Sequence, residues 1–268
     1  MSTRLRDLTL AIKSGGEMGS AIVWSLYQAG LRRILILETA HPLAVRRTVS
    51  FCEAVHDGTW VVEEVRAKRV DMAQDMEQTW AEGCIPVLVD PEWTSLSTLQ
   101  PDIVVDAIIA KRNLGTSRTD APLVIGLGPG FTAGQDVHVV VETKRGHDLG
   151  RILTTGQAAP NTGIPGEIGG FSRERVVRAP VSGRLSWTCQ LGDMVGKGQV
   201  LGQVETAPIV AEISGLMRGQ IRPNGPVPKG LKLGDIDPRG DVRCLHTISD
   251  KGRALGGAVL EAILRVYH

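Results

Sequence analysis

The sequence predicts an α/β fold: a Rossmann-like domain on a parallel sheet, with a small all-β domain inserted into it. Three observations predict this. A strand, a glycine turn and a helix follow one another in "LTLAIKSGGEMGSAIVWSLYQAG" (8–30). Further apolar strands alternate with helical segments up to about residue 112, the pattern of a right-handed parallel sheet. A later stretch of short strands and glycine turns then repeats itself.

The first turn carries the first candidate site. Aligned to G-x-G-x-x-G, its three positions are Ser14, Gly16 and Gly19, so the first glycine is replaced. Ser14, Gly15 and Gly16 would bring backbone close to a phosphate, and Glu17 stands where that phosphate would meet the helix. "LRRILILE" is the next strand. It ends at Glu38, close to the spacing at which an acid accepts from a ribose diol, or else simply faces solvent. Arg46 and Arg47 follow in a short helical segment where only one of two neighbours can reach a shared ligand. "IPVLVD" (85–90) and "PDIVVDAIIA" (101–110) are two more strands, and Lys111 and Arg112 follow the second.

A glycine-rich segment comes next. Gly126, Gly128 and Gly130 alternate and can form an anion-binding nest or a close crossing. "DVHVVVET" is a strand that delivers Glu142, Lys144, Arg145 and His147 to a pocket edge or to a wet loop. His138 inside it reads as a hydrogen-bonded structural histidine, and the absence of H-x-x-x-H spacing assigns no metal. The expected boundaries are 1–112 for the Rossmann-like domain, 113–174 for a connecting segment with strands, and 175–237 for the β domain. Residues 238–268 form a helical segment packing on the first domain, capped at Ser249 or Asp250, with Val259, Ile263 and Val266 on one stripe.

The repeat sets Ser182 against Ser214, Gly183 against Gly215, Val195 against Val227, and Lys197 against Lys229. Two like halves around a pseudo-twofold axis result. This stretch resembles the barrel-sandwich hybrid of biotinyl and lipoyl carriers. Such carriers take their cofactor on a lysine between the halves. The matching "VETAPIVAEI" (204–213) has no lysine, so neither biotin nor lipoate is expected.

Composition narrows the class. The chain has 268 residues, a net charge of +1 and 42% hydrophobic residues, enough for one large core or two modest ones. Near-neutral charge without a basic run argues against a nucleic-acid partner, and no apolar run is long enough to span a bilayer. The scattered Cys52, Cys84, Cys189 and Cys244 fit reduced thiols, and no signal peptide is evident, so a cytoplasmic location is expected.

"GGEMGSA", "PLAVRRTVSFCEAV", "DAIIAKRNLGT", "APLVIGLGPGFTAGQDVHVVVETKRGHDLG", "PNTGIPGEIGG", "GLKLGDIDPRG" and "TISDKGRALGGAVLEAIL" together resemble the YqeB-type family. Its members are bacterial accessory proteins associated with selenium-dependent molybdenum hydroxylases. The resemblance implies maturation of such a hydroxylase, by handling its molybdopterin-type cofactor or installing a terminal chalcogen, a role akin to that of XdhC-type chaperones. The partner would be the apo-hydroxylase; separately, self-association into a homo-oligomer is left open. The family's Gly-Gly-Gly turn is Ser14-Gly15-Gly16 here, followed by the usual acid, Glu17. Three readings follow: a cofactor carrier, an enzyme (an oxidoreductase using NAD(P), or a transferase using Cys52), or a scaffold that binds no ligand.

Overall fold

The structure is a computed structural model describing residues 4–223 and 225–267. The chain forms two units. Met1–Pro42, Val49–Asn161 and Ile248–His268 make the first, and Leu43–Thr48 with Thr162–Thr247 make the second.

The first unit contains β1 (Thr9–Lys13), β2 (Arg33–Glu38), β3 (Thr59–Val62), β4 (Val65–Val70), β5 (Ile85–Val89), β6 (Ile103–Asp106), β7 (Leu123–Leu127), β8 (Thr132–Ala133), β9 (Val139–Val141), β10 (Ile152–Leu153) and β11 (Gly156–Gln157). Nine of these form one sheet in the order β10-β9-β7-β6-β1-β2-β5-β4-β3. The strands from β9 to β4 run parallel, whereas the two edges, β10 and β3, are antiparallel. β8 and β11 pair separately.

Strand alternation sends Leu10, Ile12, Ile34, Ile36, Ile103 and Val105 into one apolar layer. Ala11, Leu35, Leu37, Val104 and Val124 go into a second layer on the other face. Because both faces are covered, the parallel strands read as unbroken apolar runs rather than as alternation.

The helices Glu17–Gln28 and Asp250–Leu264 share the first layer and pack on each other. The Ser249 hydroxyl caps the second helix, accepting the Gly252 N–H at 3.3 Å. Val259 and Ile263 are buried, but Val266 lies beyond the helix end and is 53% exposed, so the expected stripe stops at Ile263.

The divisions fall away from the expected boundaries. Residues 113–161 are not a connector, because β7, β9 and β10 extend the main sheet. Residues 238–247, including the short helix Arg243–His246, belong to the second unit.

The second unit is two four-stranded antiparallel sheets. Its strands are β12 (Val176–Arg178), β13 (Gly183–Trp187), β14 (Met194–Val195), β15 (Val200–Val204), β16 (Ala207–Val210), β17 (Gly215–Gln220), β18 (Pro226–Val227) and β19 (Lys232–Asp237). One sheet has the order β12-β19-β17-β14 and the other β16-β15-β13-β18. The sequence repeat reappears as exchanged contacts. Gly183 pairs with Val227, and its counterpart Gly215 pairs with Val195. The Lys197 N–H donates to Ser214 Oγ and the Lys229 N–H to Ser182 Oγ, both at 2.9 Å. Each half therefore closes the other's turn.

Beneath the apolar core lies a buried charge network. Arg175 and Arg218 both donate to Asp235, and Arg218 and Arg239 reach Asp237 at 3.0 and 2.6 Å. None of the four cysteines is in a disulfide, and Cys52, Cys84 and Cys189 are buried. Among the described residues no helix is long and apolar enough to cross a membrane.

Candidate functional site

The carboxyl ends of the parallel strands in the first unit carry a recurring device. An acid at or just past a strand exit turns back and accepts N–H groups from the loop it opens. Glu38 accepts from Gly15 at 2.8 Å and from Thr39 at 2.9 Å. Asp90 accepts from the N–H groups of Thr94 and Ser95 at 3.0 and 2.8 Å. Asp106 accepts the Ile108 N–H at 3.1 Å and the Thr116 hydroxyl at 2.7 Å. Glu142 accepts from Lys144 at 2.7 Å and Ala159 at 2.6 Å. Burial pushes the Glu38 carboxyl above its ordinary range, against the hydrogen bonds from Thr39 and Gly15. Burial likewise raises Asp106, against its bonds to Thr116 and Ile108.

This arrangement alters the reading of the first turn. Ser14 holds a left-handed backbone at φ +80°, which a non-glycine residue adopts at some cost. Its hydroxyl accepts the Gly16 N–H at 3.2 Å. The Gly15 carbonyl accepts from the Cys52 N–H at 2.9 Å and from the Ser20 hydroxyl at 2.8 Å. Gly19 lets the helix close down on the strand exit, since a Cβ there would stand 2.0 Å from the Ser14 carbonyl oxygen. The Gly15 and Gly16 N–H groups thus have acceptors within the chain, and Glu38 organises the turn rather than facing outward.

Cys52 sits under this turn and is 1% exposed. Its side chain packs as a small buried group, not as an accessible thiol.

Lys13, the last residue of β1, is fully buried. Its ammonium donates to Thr116 Oγ1 and Asp120 Oδ2, each at 2.8 Å, and lies 3.9 Å from the centre of the Trp93 ring. Through Thr116 the network continues to Asp106. Sequence reading passed over this lysine because it closes a strand that otherwise reads as apolar.

The loops after β6, β7 and β9 stack on one another. A Cβ on Gly130 would stand 2.6 Å from the Arg112 backbone, and one on Gly128 would stand 2.4 Å from Thr143 Oγ1. These glycines serve close crossings, the second of the two readings open for them. Lys111, Arg112, Lys144 and His147 are exposed. Arg145 pairs with Asp250 at 2.6 Å, at the start of the helix Asp250–Leu264. On the other side of that helix start, the Ser249 hydroxyl donates to Glu17 at 3.2 Å.

Lys251 lies in this first turn and was not singled out from sequence. It is half-buried, and burial lowers its amine below the ordinary lysine value, with Arg145 and Lys111 adding to the effect against Glu17 and Glu142. Of the expected site residues, Glu17, Lys111 and Arg145 thus share an electrostatic neighbourhood with Lys251.

Arg46 and Arg47 do not join them. Residues 43–48 belong to the second unit, where the Gln220 N–H donates to the Val45 carbonyl at 2.7 Å. Arg46 is buried and donates to the carbonyls of Cys244 and Thr247 at 2.8 and 3.1 Å. Its guanidinium closes a helix end instead of meeting a ligand. His138 has the structural role expected of it, accepting the Val124 N–H on Nδ1 at 3.0 Å. Among the described residues no group of three His, Cys, Asp or Glu side chains is placed to hold a metal ion.

No family model matches the chain. It is 43% identical over 259 residues to "Uncharacterized protein YqeB" of Escherichia coli (strain K12), a match covering 97% of this chain. That likeness supports a YqeB-type family. The chain spans about half of this YqeB relative, 48% of its length. Solved structures give only faint likenesses. A succinylglutamate desuccinylase/aspartoacylase from Rhodobacter sphaeroides matches at 24% identity and a TM-score of 0.21, over 24% of this chain and 22% of that one. The ectoine utilization protein EutE (DoeB) from Ruegeria pomeroyi matches at 13% identity and a TM-score of 0.26, over 85% and 84%. Neither score carries an argument about fold or activity.

Proposed function

We propose that this protein is an accessory factor for a molybdenum hydroxylase, selenium-dependent in its family setting, and that it holds an anionic, molybdopterin-type ligand. In this reading the first unit is Rossmann-like, the second is barrel-sandwich-hybrid-like, and the partner is the apo-hydroxylase. The observation that carries it is the start of the helix Asp250–Leu264, where Arg145 pairs with Asp250 beside half-buried Lys251 and Ser249 reaches Glu17 at the start of the helix Glu17–Gln28. Helix starts and clustered cations both favour an anion. The role in hydroxylase maturation comes from the resemblance to the YqeB-type family.

The NAD(P) oxidoreductase reading lacks its two usual anchors. The Gly15 N–H and the Glu38 carboxylate bind each other and so are withheld from a pyrophosphate and a ribose. A transferase using Cys52 would need a thiol that is not buried.

Native mass spectrometry of the protein, purified gently from a host that makes molybdenum cofactor, tests this. A retained pterin-mass adduct is expected, and it should be lost in the Lys111→Ala/Arg145→Ala/Lys251→Ala variant. A nicotinamide dinucleotide adduct would overturn the proposal in favour of an oxidoreductase. A folded protein with no adduct would favour a scaffold.

A further inference from the structure

The second unit contains a cleft that the reading above does not use. It has a volume of about 660 Å³, and its walls are β12 on one side and β16 on the other. Each of these strands is at the end of its sheet, hydrogen-bonded on one side only, to β19 and to β15 respectively. The two are also counterparts in the internal repeat: the turn that follows β12 brings the Gly230 N–H to the Ala179 carbonyl at 2.9 Å, and the turn after β16 brings the Gly198 N–H to the Ala211 carbonyl at 2.8 Å. The cleft therefore lies where the two halves face each other with their ladders incomplete.

Its chemistry is uneven. Val177, Ala179 and Ile209 line it and are buried, forming an apolar floor. Exposed Arg173, Arg178 and Lys229 stand on its rim. Two carboxylates, Glu174 and Glu212, line it as well, so the three cations leave the cleft with a small positive excess. One backbone acceptor of β12 is available as well. The Ile236 N–H donates to the Arg175 carbonyl at 2.8 Å, and antiparallel alternation then turns the next carbonyl, that of Val176, away from β19. The Val176 N–H closes a local turn on Arg173 at 3.0 Å. Pro208 on the facing edge has no N–H to offer, which directs strand addition to β12.

We propose that this cleft takes an extended peptide segment of a partner protein, alternating apolar and acidic side chains, added as a strand to β12. Apolar side chains descend to Val177 and Ile209, while the acidic ones turn up to Arg173, Arg178 and Lys229. Main-chain hydrogen bonds supply affinity, and the rim charge sets the preference.

The test is fluorescence anisotropy on the full chain, with a labelled peptide alternating valine and glutamate and its valine–lysine counterpart. The glutamate peptide should bind about tenfold tighter, and Arg178→Glu with Lys229→Glu should invert that order. Bound peptide should slow amide exchange in Val176–Arg178. Val210→Lys, at a position 45% exposed, is a milder variant that leaves the core alone and should strengthen binding of the glutamate peptide. Equal binding of both peptides, or binding of neither, would overturn the proposal. So would self-association of the protein that the rim variant abolishes, since the edge would then belong to a second copy.

Discussion

The Glu38 carboxylate receives the Gly15 N–H at 2.8 Å, across 23 positions of sequence. The two residues most suited to a dinucleotide therefore bind each other. Glu38→Ala should strand the N–H groups of Gly15 and Thr39 and destabilise the protein by roughly 2 kcal/mol. Glu38→Gln, which keeps one acceptor oxygen, should recover part of that loss. Urea unfolding measures both. A Glu38→Ala protein as stable as the wild type would mean the acid does not hold the turn.

Lys13 makes a sharper case. Lys13→Met removes the cation that faces Asp120 and, through Thr116, Asp106. Breaking a buried pair from one side costs about 3 kcal/mol. Adding Asp120→Asn should recover a measurable share, so the two changes should be non-additive in a double-mutant cycle. Additive losses would show that the pair is uncoupled.

Two neighbouring glycines on one helix should respond in opposite ways. A Cβ on Gly256 would stand 2.1 Å from Ser25 Oγ and 3.1 Å from the Ala21 carbonyl oxygen. Gly256→Ala should destabilise by roughly 2 kcal/mol through overpacking. A Cβ on Gly257 meets nothing within 4 Å, and the residue is exposed. Gly257→Ala should stabilise by about 0.5–1 kcal/mol through helix propensity alone. Thermal melts of the two variants, read side by side, check both the sign and the helix register.

Acid should weaken the second unit. Burial alone would raise the Asp237 carboxyl, but the Arg239 hydrogen bonds and the nearby Arg218 outweigh it and hold it below the ordinary range. A carboxylate with a depressed folded-state pKa contributes stability that is present above the ordinary aspartate range. That contribution is lost as pH falls through the depressed value. Amide protection in β17 and β19, taken relative to the intrinsic exchange rate at each pH, should therefore fall on acidification, and Asp237→Asn should start weaker and show a shallower pH dependence.

Several of these features were legible in the sequence, and the reasons differ. The 32-residue repeat set Gly183 against Gly215 and Val195 against Val227, and those residues meet in exchanged pairs, because the glycine turns and strand lengths are local properties. The strand and helix at 8–28 were legible for the same reason. Glu38 was placed correctly at a strand exit, but its role was missed, since spacing cannot say which N–H group comes to rest beside a carboxylate. Arg46 was misjudged because six residues, Leu43–Thr48, leave one unit for the other and then return. Such a detour is set by tertiary pairing, and nothing in the composition of the stretch announces it. Lys251 escaped notice because its surroundings come from three distant segments: Glu17, Lys111 and the loop carrying Glu142 and Arg145.

That detour has a consequence for how the chain is made. The path passes between the units four times, after Pro42, Thr48, Asn161 and Thr247. On the ribosome, Leu43–Thr48 emerges long before the strands it will join. The first sheet, in turn, waits for the helix Asp250–Leu264 to cover one of its faces. The second unit can close only once Thr247 has emerged and the first only once the helix Asp250–Leu264 has, and neither can be excised as one continuous fragment.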